Sequence, residues 1–116
     1  MKIREIQELL DAKLLCDSGN LEGEVYSAFG CDLMSDVLAY VKDQSVLLTG
    51  LINPQVIRTA IMMDMTCVVF VRSKVPGEEV LKLAEESNIV VMQTNKTLYT
   101  SCGILYSNGL VGKGKV

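Results

Sequence analysis

Three stretches decide the fold: Ser45-Val-Leu-Leu-Thr49, Cys67-Val-Val-Phe-Val71 and Ile89-Val-Val-Met-Gln93. Each is five residues long, mostly branched and apolar, and their starts are spaced 22 residues apart. Such short, largely apolar runs fit strands buried on both faces of a parallel sheet. Parallel neighbours need crossover connections, and the sequence between the runs supplies helices for that purpose, right-handed by the usual chirality of the βαβ unit. The three strands are therefore expected side by side.

The helical stretches carry their own start and stop signals. Asn53-Pro54 places an N-cap before a proline at the first helical position, with Val56, Ile57, Ala60 and Ile61 on the buried face. Pro76-Gly-Glu-Glu79 opens the next helix with acidic residues where the helix dipole favours them. Val80, Leu81, Leu83 and Ala84 face inward, and Asn88 suits a left-handed stop. Thr94 or Asn95 is the expected cap of a last helix that buries Leu98, Cys102, Leu105 and Tyr106 and ends at Gly109.

Toward the amino terminus, residues 2–10 set Ile3, Ile6, Leu9 and Leu10 on one helical face. Residues 12–16 and 25–29 read as short strands separated by the Asp17-Ser-Gly-Asn20 turn. Asp32 is the expected N-cap of a helix carrying Leu33, Met34, Val37, Leu38 and Val41. The reading is one α/β domain over residues 1–116: an open, largely parallel sheet of βαβ units with flanking helices. The tail, residues 110–116, is read as flexible.

Composition narrows function. The chain of 116 residues is 49% hydrophobic with a net charge of -3, so a broad basic face for nucleic acid is not expected. No apolar run approaches the roughly 20 residues needed to cross a bilayer, and the mixed-charge start Met1-Lys-Ile-Arg-Glu5 does not resemble a signal peptide. Cys16, Cys31, Cys67 and Cys102 form no C-x-x-C pair, so reduced thiols in a cytoplasmic protein are expected, with no disulfide. Histidine is absent. Catalytic pairs of serine or cysteine with histidine cannot form within the chain, and the commonest nitrogen ligand for metals is lacking. No metal, no cofactor and no catalytic residue is expected.

In an open parallel sheet, ligands collect beyond the carboxyl ends of the strands. Thr49, Gly50, Asn53, Arg72, Ser73 and Thr94 fall there and form the candidate binding rim. The Asn53-Pro54 helix start offers backbone N–H groups to an anion, and Arg72 a bidentate contact. Two readings stay open: a rim for a small anionic ligand, or plain strand-exit turn chemistry. Neither glycine-rich phosphate fingerprint occurs, and Gly112-Lys-Gly-Lys115 has no helix behind it. Cys31, just before a helix start, is the candidate reactive thiol, against the alternative of a small buried hydrophobe. Cys102 is the other thiol that could react or meet Cys31 across the fold.

The stretch Gly30 to Val41, then Ser45 to Gly50, then Asn53-Pro-Gln-Val-Ile-Arg-Thr-Ala60, continued by Val68–Val71, Pro76–Ala84 and Ile89–Val91, resembles the DRTGG domain. The resemblance spans residues 20–107 and is closest to small stand-alone members. Related domains accompany phosphotransacetylase catalytic domains or lie between CBS domains in inorganic pyrophosphatases, and the amino-terminal domain of HPr kinase has a similar fold. The resemblance implies a βα domain that regulates or dimerises without catalysis. The namesake residues differ: Leu51-Ile52 stands in place of Asp-Arg, and Val71-Arg72-Ser73 in place of Thr-Gly-Gly.

The functional expectation is a non-catalytic regulatory or ligand-sensing domain that self-associates and binds a small anionic ligand such as a nucleotide or phosphorylated metabolite. The alternatives are a protein–protein interaction subunit or adaptor without ligand, and a thiol-based redox or metal-handling protein built on Cys31 and Cys102. A homodimer is expected because apolar residues exceed one face of two helices: Ile61, Met62, Met63 and Met65 at one helix end, and Leu98, Tyr99, Leu105 and Tyr106 on the last.

Overall fold

Side chains alternate across a strand, so an apolar run buried on both faces must feed two cores. That division is seen here. In the computed structural model, which describes residues 1–41 and 44–111, Leu47, Val68, Phe70, Ile89 and Val91 enter one cluster. Their neighbours Val46, Leu48, Cys67, Val69, Val71, Val90 and Met92 enter the other.

The elements in chain order are α1 (Ile3–Leu10), β1 (Lys13–Cys16), β2 (Ser27–Gly30), α2 (Met34–Tyr40), β3 (Ser45–Thr49), α3 (Pro54–Met62), β4 (Cys67–Phe70), α4 (Glu78–Glu86), β5 (Val90–Gln93) and α5 (Leu98–Ser107). The sheet has five strands in the order β1-β5-β4-β3-β2. The pairs β2–β3, β3–β4 and β4–β5 are parallel, with Leu47 opposite Val68 and Val68 opposite Val91. The three runs expected to be adjacent parallel strands are β3, β4 and β5. The fold is thus the expected α/β arrangement.

Helices cover both faces. Met34 and Val37 of α2, Val56, Ile57 and Ala60 of α3, and Val80 and Ala84 of α4 pack on one side. Ile3, Ile6 and Leu10 of α1 and Leu105 of α5 pack on the other. Full burial of one such aliphatic side chain contributes about 1.5–3 kcal/mol, so these two interfaces hold the three layers together. Antiparallel β1 closes the β5 edge, with a register irregularity between Leu14 and Cys16. The connection from α1 to β1 is tight, with Asp11 left-handed at φ 50 as the helix C-cap.

Several local expectations are corrected. Asp32 does not cap α2, because Leu33 occupies that position without a side-chain cap and the Asp32 carboxylate turns to the end of β3 instead. Leu33 and Leu38 of the same segment are exposed. The cap of α5 is Thr97, whose hydroxyl accepts from Thr100 N, not Thr94 or Asn95. Tyr106 is 65% exposed, because it lies off the face that carries Leu105. Leu110 is not part of a loose tail. It is buried in the α1–α5 core, and its N–H bonds to Leu105 O at 3.0 Å. The rest of that expectation, with Gly112 to Lys115, falls at 112–116, outside the described residues.

The Asn53 cap and Pro54 start of α3 are as read, with the Asn53 side chain accepting from Gln55 N at 3.0 Å. Asn88 is left-handed at φ 58 where α4 ends.

Candidate functional site

Because β2 to β5 run parallel, their carboxyl ends share one edge. The loops leaving β3, β4 and β5 comprise residues 50–53, 71–77 and 94–97. They contain Arg72, Lys74 and Lys96 and no carboxylate. With Asp32 in the loop that leaves β2, the edge holds three basic side chains and one acidic one, a positive balance in a chain of net charge -3.

At the centre of that edge β3 ends at Thr49, which is buried. Its hydroxyl donates to Asp32 Oδ1 at 3.0 Å, and Gly50 N donates to the same oxygen at 2.7 Å. Thr49 Oγ1 in turn accepts from Leu51 N at 3.1 Å. The charged acceptor strengthens both bonds it takes and fixes the segment after β2 against the segment after β3.

Gly50 has a steric role. A Cβ there would lie 2.8 Å from Arg72 Nη2 and 3.4 Å from Arg72 Nε, so the guanidinium rests against the glycine. Arg72 forms no ion pair among the described residues; the side-chain pairs present join Lys2 and Arg4 to Glu22, and Arg4 to Glu8.

Arg72 and Ser73 are both left-handed, at φ 58 and φ 59. A non-glycine residue in that region costs roughly 1–2 kcal/mol, and two in succession need support from their surroundings. The support comes from the loop after β5. Arg72 N donates to Lys96 O at 2.8 Å and Ser73 N to Thr94 O at 3.0 Å. Ser73 Oγ donates to Asn95 Oδ1 at 2.9 Å, and Gln93 Nε2 bonds the same oxygen at 3.0 Å. The turn presents a guanidinium and a hydroxyl.

Of the six candidate rim residues, Gly50, Arg72 and Ser73 lie where a ligand could reach them. Thr49 lies beneath and acts on the rim through Asp32. Asn53 uses its side chain to cap α3. Thr94 is buried, and its hydroxyl donates to Leu10 O at 2.7 Å, joining the sheet to α1. Asp32 and Lys96 belong to this edge as well, and sequence reasoning did not assign them to it, whereas Asn95 was read there as the exit of its strand. Asp32 sits before an apolar periodic stretch, the same pattern that marks an N-cap, and only the pairing of β2 with β3 brings it to Thr49.

The thiols are dispersed. Cys31 is half-buried against the α2–α4 core, with its sulfur 3.3 Å from Leu33 N. Cys102 lies against the α1–α5 core on the other side of the sheet, close to Gly30, and burial raises its thiol pKa. The sheet therefore separates these two cysteines. All four cysteines are free.

A groove of about 590 Å³ opens at the opposite, amino edge of the sheet, between the ends of α3 and α4. Gln44, Asp64, Thr66, Ser87 and Asn88 supply its polar lining, and, among the described residues, none that lines it is basic. Two helix C-termini and an aspartate make it unsuited to an anion.

The fold defines the class: an α/β domain with a five-stranded, mostly parallel sheet between two helical layers. The chain belongs to the DRTGG domain family, whose profile matches residues 5–107. Among solved structures it is similar to the CBS and DRTGG domains of the regulatory region of Clostridium perfringens pyrophosphatase, which was crystallised with its activator, diadenosine tetraphosphate. The TM-score is 0.75 at 13% sequence identity, a likeness of fold. The match covers 99% of this chain and 52% of the other, so this chain spans about half the length of that regulatory region. No curated protein shows significant similarity to the sequence. Among the described residues no helix is long and apolar enough to cross a membrane.

Proposed function

We propose that this chain is a non-catalytic, cytoplasmic regulatory domain that takes a small anionic ligand, a nucleotide or phosphorylated metabolite, on the carboxyl rim. The observation that carries this is the left-handed pair Arg72-Ser73: a strained turn on an exposed stretch holds a guanidinium against Gly50, with no carboxylate paired to it among the described residues. Strain of this kind collects at functional sites. The cationic loops on either side and the position at the strand ends favour the same edge. The pyrophosphatase neighbour, a regulatory region bound to an activating nucleotide, makes adenine nucleotides the first ligands to try.

Isothermal titration with ADP and with inorganic pyrophosphate tests this. Binding should weaken as salt rises, and Arg72→Ala should reduce affinity by about 10- to 100-fold, the worth of a charge-assisted pair of about 1.5–3 kcal/mol. A wild-type protein that binds neither, or an Arg72→Ala variant that binds as well, ends the proposal.

The second part of the reading is self-association. Met62 is 68% exposed at the end of α3, and Tyr26, Tyr40, Tyr99 and Tyr106 are exposed as well. Met65 and Leu105, also counted in the apolar excess, are buried in the monomer. Large exposed apolar groups favour an interface, and two-fold association is the commonest way to cover one. Sedimentation should give twice the 12.7 kDa chain mass at micromolar concentration. A monomer mass unchanged on dilution would favour a domain that meets a different protein.

A further inference from the structure

We propose that Asp32 is a specificity residue of the rim, selecting a ligand that pairs its phosphate with vicinal hydroxyls, as a ribonucleotide does. This rests on the reading of Arg72 as the anion contact. Asp32 and Arg72 approach the same glycine. Asp32 Oδ1 is 2.7 Å from Gly50 N, and Arg72 Nη2 is 2.8 Å from the place of a Gly50 Cβ. With ordinary backbone dimensions the two groups lie within about 8 Å of each other, yet they form no ion pair. An exposed arginine closes easily on a neighbouring carboxylate when both are free to move. Here Asp32 is fixed by two donors, and Arg72 by its left-handed backbone and its seat on Gly50.

The result is a dipolar gap. Asp32 Oδ1 is filled, whereas Oδ2 takes no hydrogen bond among the described residues. A bare phosphate at Arg72 gains one cation and is repelled by the carboxylate. A phosphate ester with hydroxyls a few ångströms away gains both, because the hydroxyls donate to Oδ2. An acidic side chain at a strand end serves ribose hydroxyls in this way in dinucleotide-binding sheets.

The border beyond Asp32 favours a nucleotide over a simple sugar phosphate. Gly30, two residues before Asp32, is covered by Leu98 and Cys102 from α5, which brings the first turn of that helix to the rim. Tyr99 in that turn is 91% exposed, an aromatic surface on which a base can stack.

The test is titration of the full chain with ADP, its 2′,3′-dideoxy analogue and inorganic pyrophosphate, using wild type, Asp32→Asn and Arg72→Ala. Asparagine keeps an oxygen for Thr49 and Gly50 and removes the charged second acceptor. Wild type should prefer ADP over the dideoxy analogue by about tenfold or more, since the analogue leaves a polar group unmatched. Asp32→Asn should bring the two within about twofold while still binding pyrophosphate, and Arg72→Ala should weaken all three. Equal wild-type affinity for ADP and its analogue overturns the proposal without any variant. A preference that survives Asp32→Asn overturns it too, as does a uniform gain for all three ligands, which would make Asp32 a competing anion. Pyrophosphate binding without discrimination would sink this inference and leave the anion rim standing; failure of all three ligands to bind wild type would sink both.

Discussion

Phe70→Ala is expected to lower the unfolding free energy by about 3–5 kcal/mol, the range for truncating a buried aromatic ring. Phe70 is the last residue of central strand β4, is wholly buried, and belongs to the core beneath α2, α3 and α4. Its strand neighbours are Thr49 and Gln93, so the sheet cannot shift to fill the space without breaking two ladders. For a chain of this length the loss corresponds to a fall in Tm of roughly 10–20 °C. Phe70→Leu, which keeps most of the apolar volume, should cost clearly less. Thermal and urea unfolding check this. A change near that of an exposed substitution, within about 0.5 kcal/mol, would mean that the ring is not packed as described.

The same residue marks what was legible in the sequence. Phe70, Val68 and Val91 lie in strands because an unbroken apolar run of four or five residues has few other uses, and the 22-residue repeat allowed little besides parallel crossovers. The division of those runs into two cores follows from alternation alone, and so does the need for helices on both faces. The antiparallel direction of β1 was not legible, because a four-residue edge strand of mixed burial reads the same in either direction.

The candidate rim was partly legible as a place in the fold, and for a physical reason. Strand ends are visible in a sequence, so Gly50, Arg72 and Ser73 could be picked out. Which strand end meets which is a matter of sheet order. Asp32 reaches Thr49 only because β2 pairs with β3, and Asn95 reaches Ser73 only because β4 pairs with β5. Thr94 shows the converse. It stands at a strand end like the others, but its hydroxyl turns back to Leu10 and joins two layers. The residue types at the left-handed pair Arg72-Ser73 do not announce it either, since neither favours a positive φ.

Cys67 yields the second large effect, at alkaline pH. It begins β4, is wholly buried in the α1–α5 core, and burial pushes its thiol pKa from 9.0 up to about 12. The unfolded chain releases this proton near the lower value, whereas the folded chain retains it until the higher one. The folded state therefore binds more protons between the two, and stability must fall as pH rises through that window. The contribution is fully present below pH 9.0 and is lost between there and about 12, at a limiting slope of about 1.4 kcal/mol per pH unit. Burial raises the Cys102 pKa in the same direction, so its contribution has the same sign. Lysines and tyrosines also titrate in this range, so the measurement is a difference. Urea unfolding of wild type and Cys67→Val is compared from pH 8 to the highest pH at which both fold, valine being of similar size and unable to ionise. The stability of wild type relative to the variant should be constant up to about pH 9 and then decline steadily. Below that pH the native Cys67 thiol should also resist alkylation while half-buried Cys31 reacts. A wild-type-minus-variant difference that stays flat across the alkaline range, or rapid alkylation of Cys67 in the folded protein, would show that the first residue of β4 is open to water.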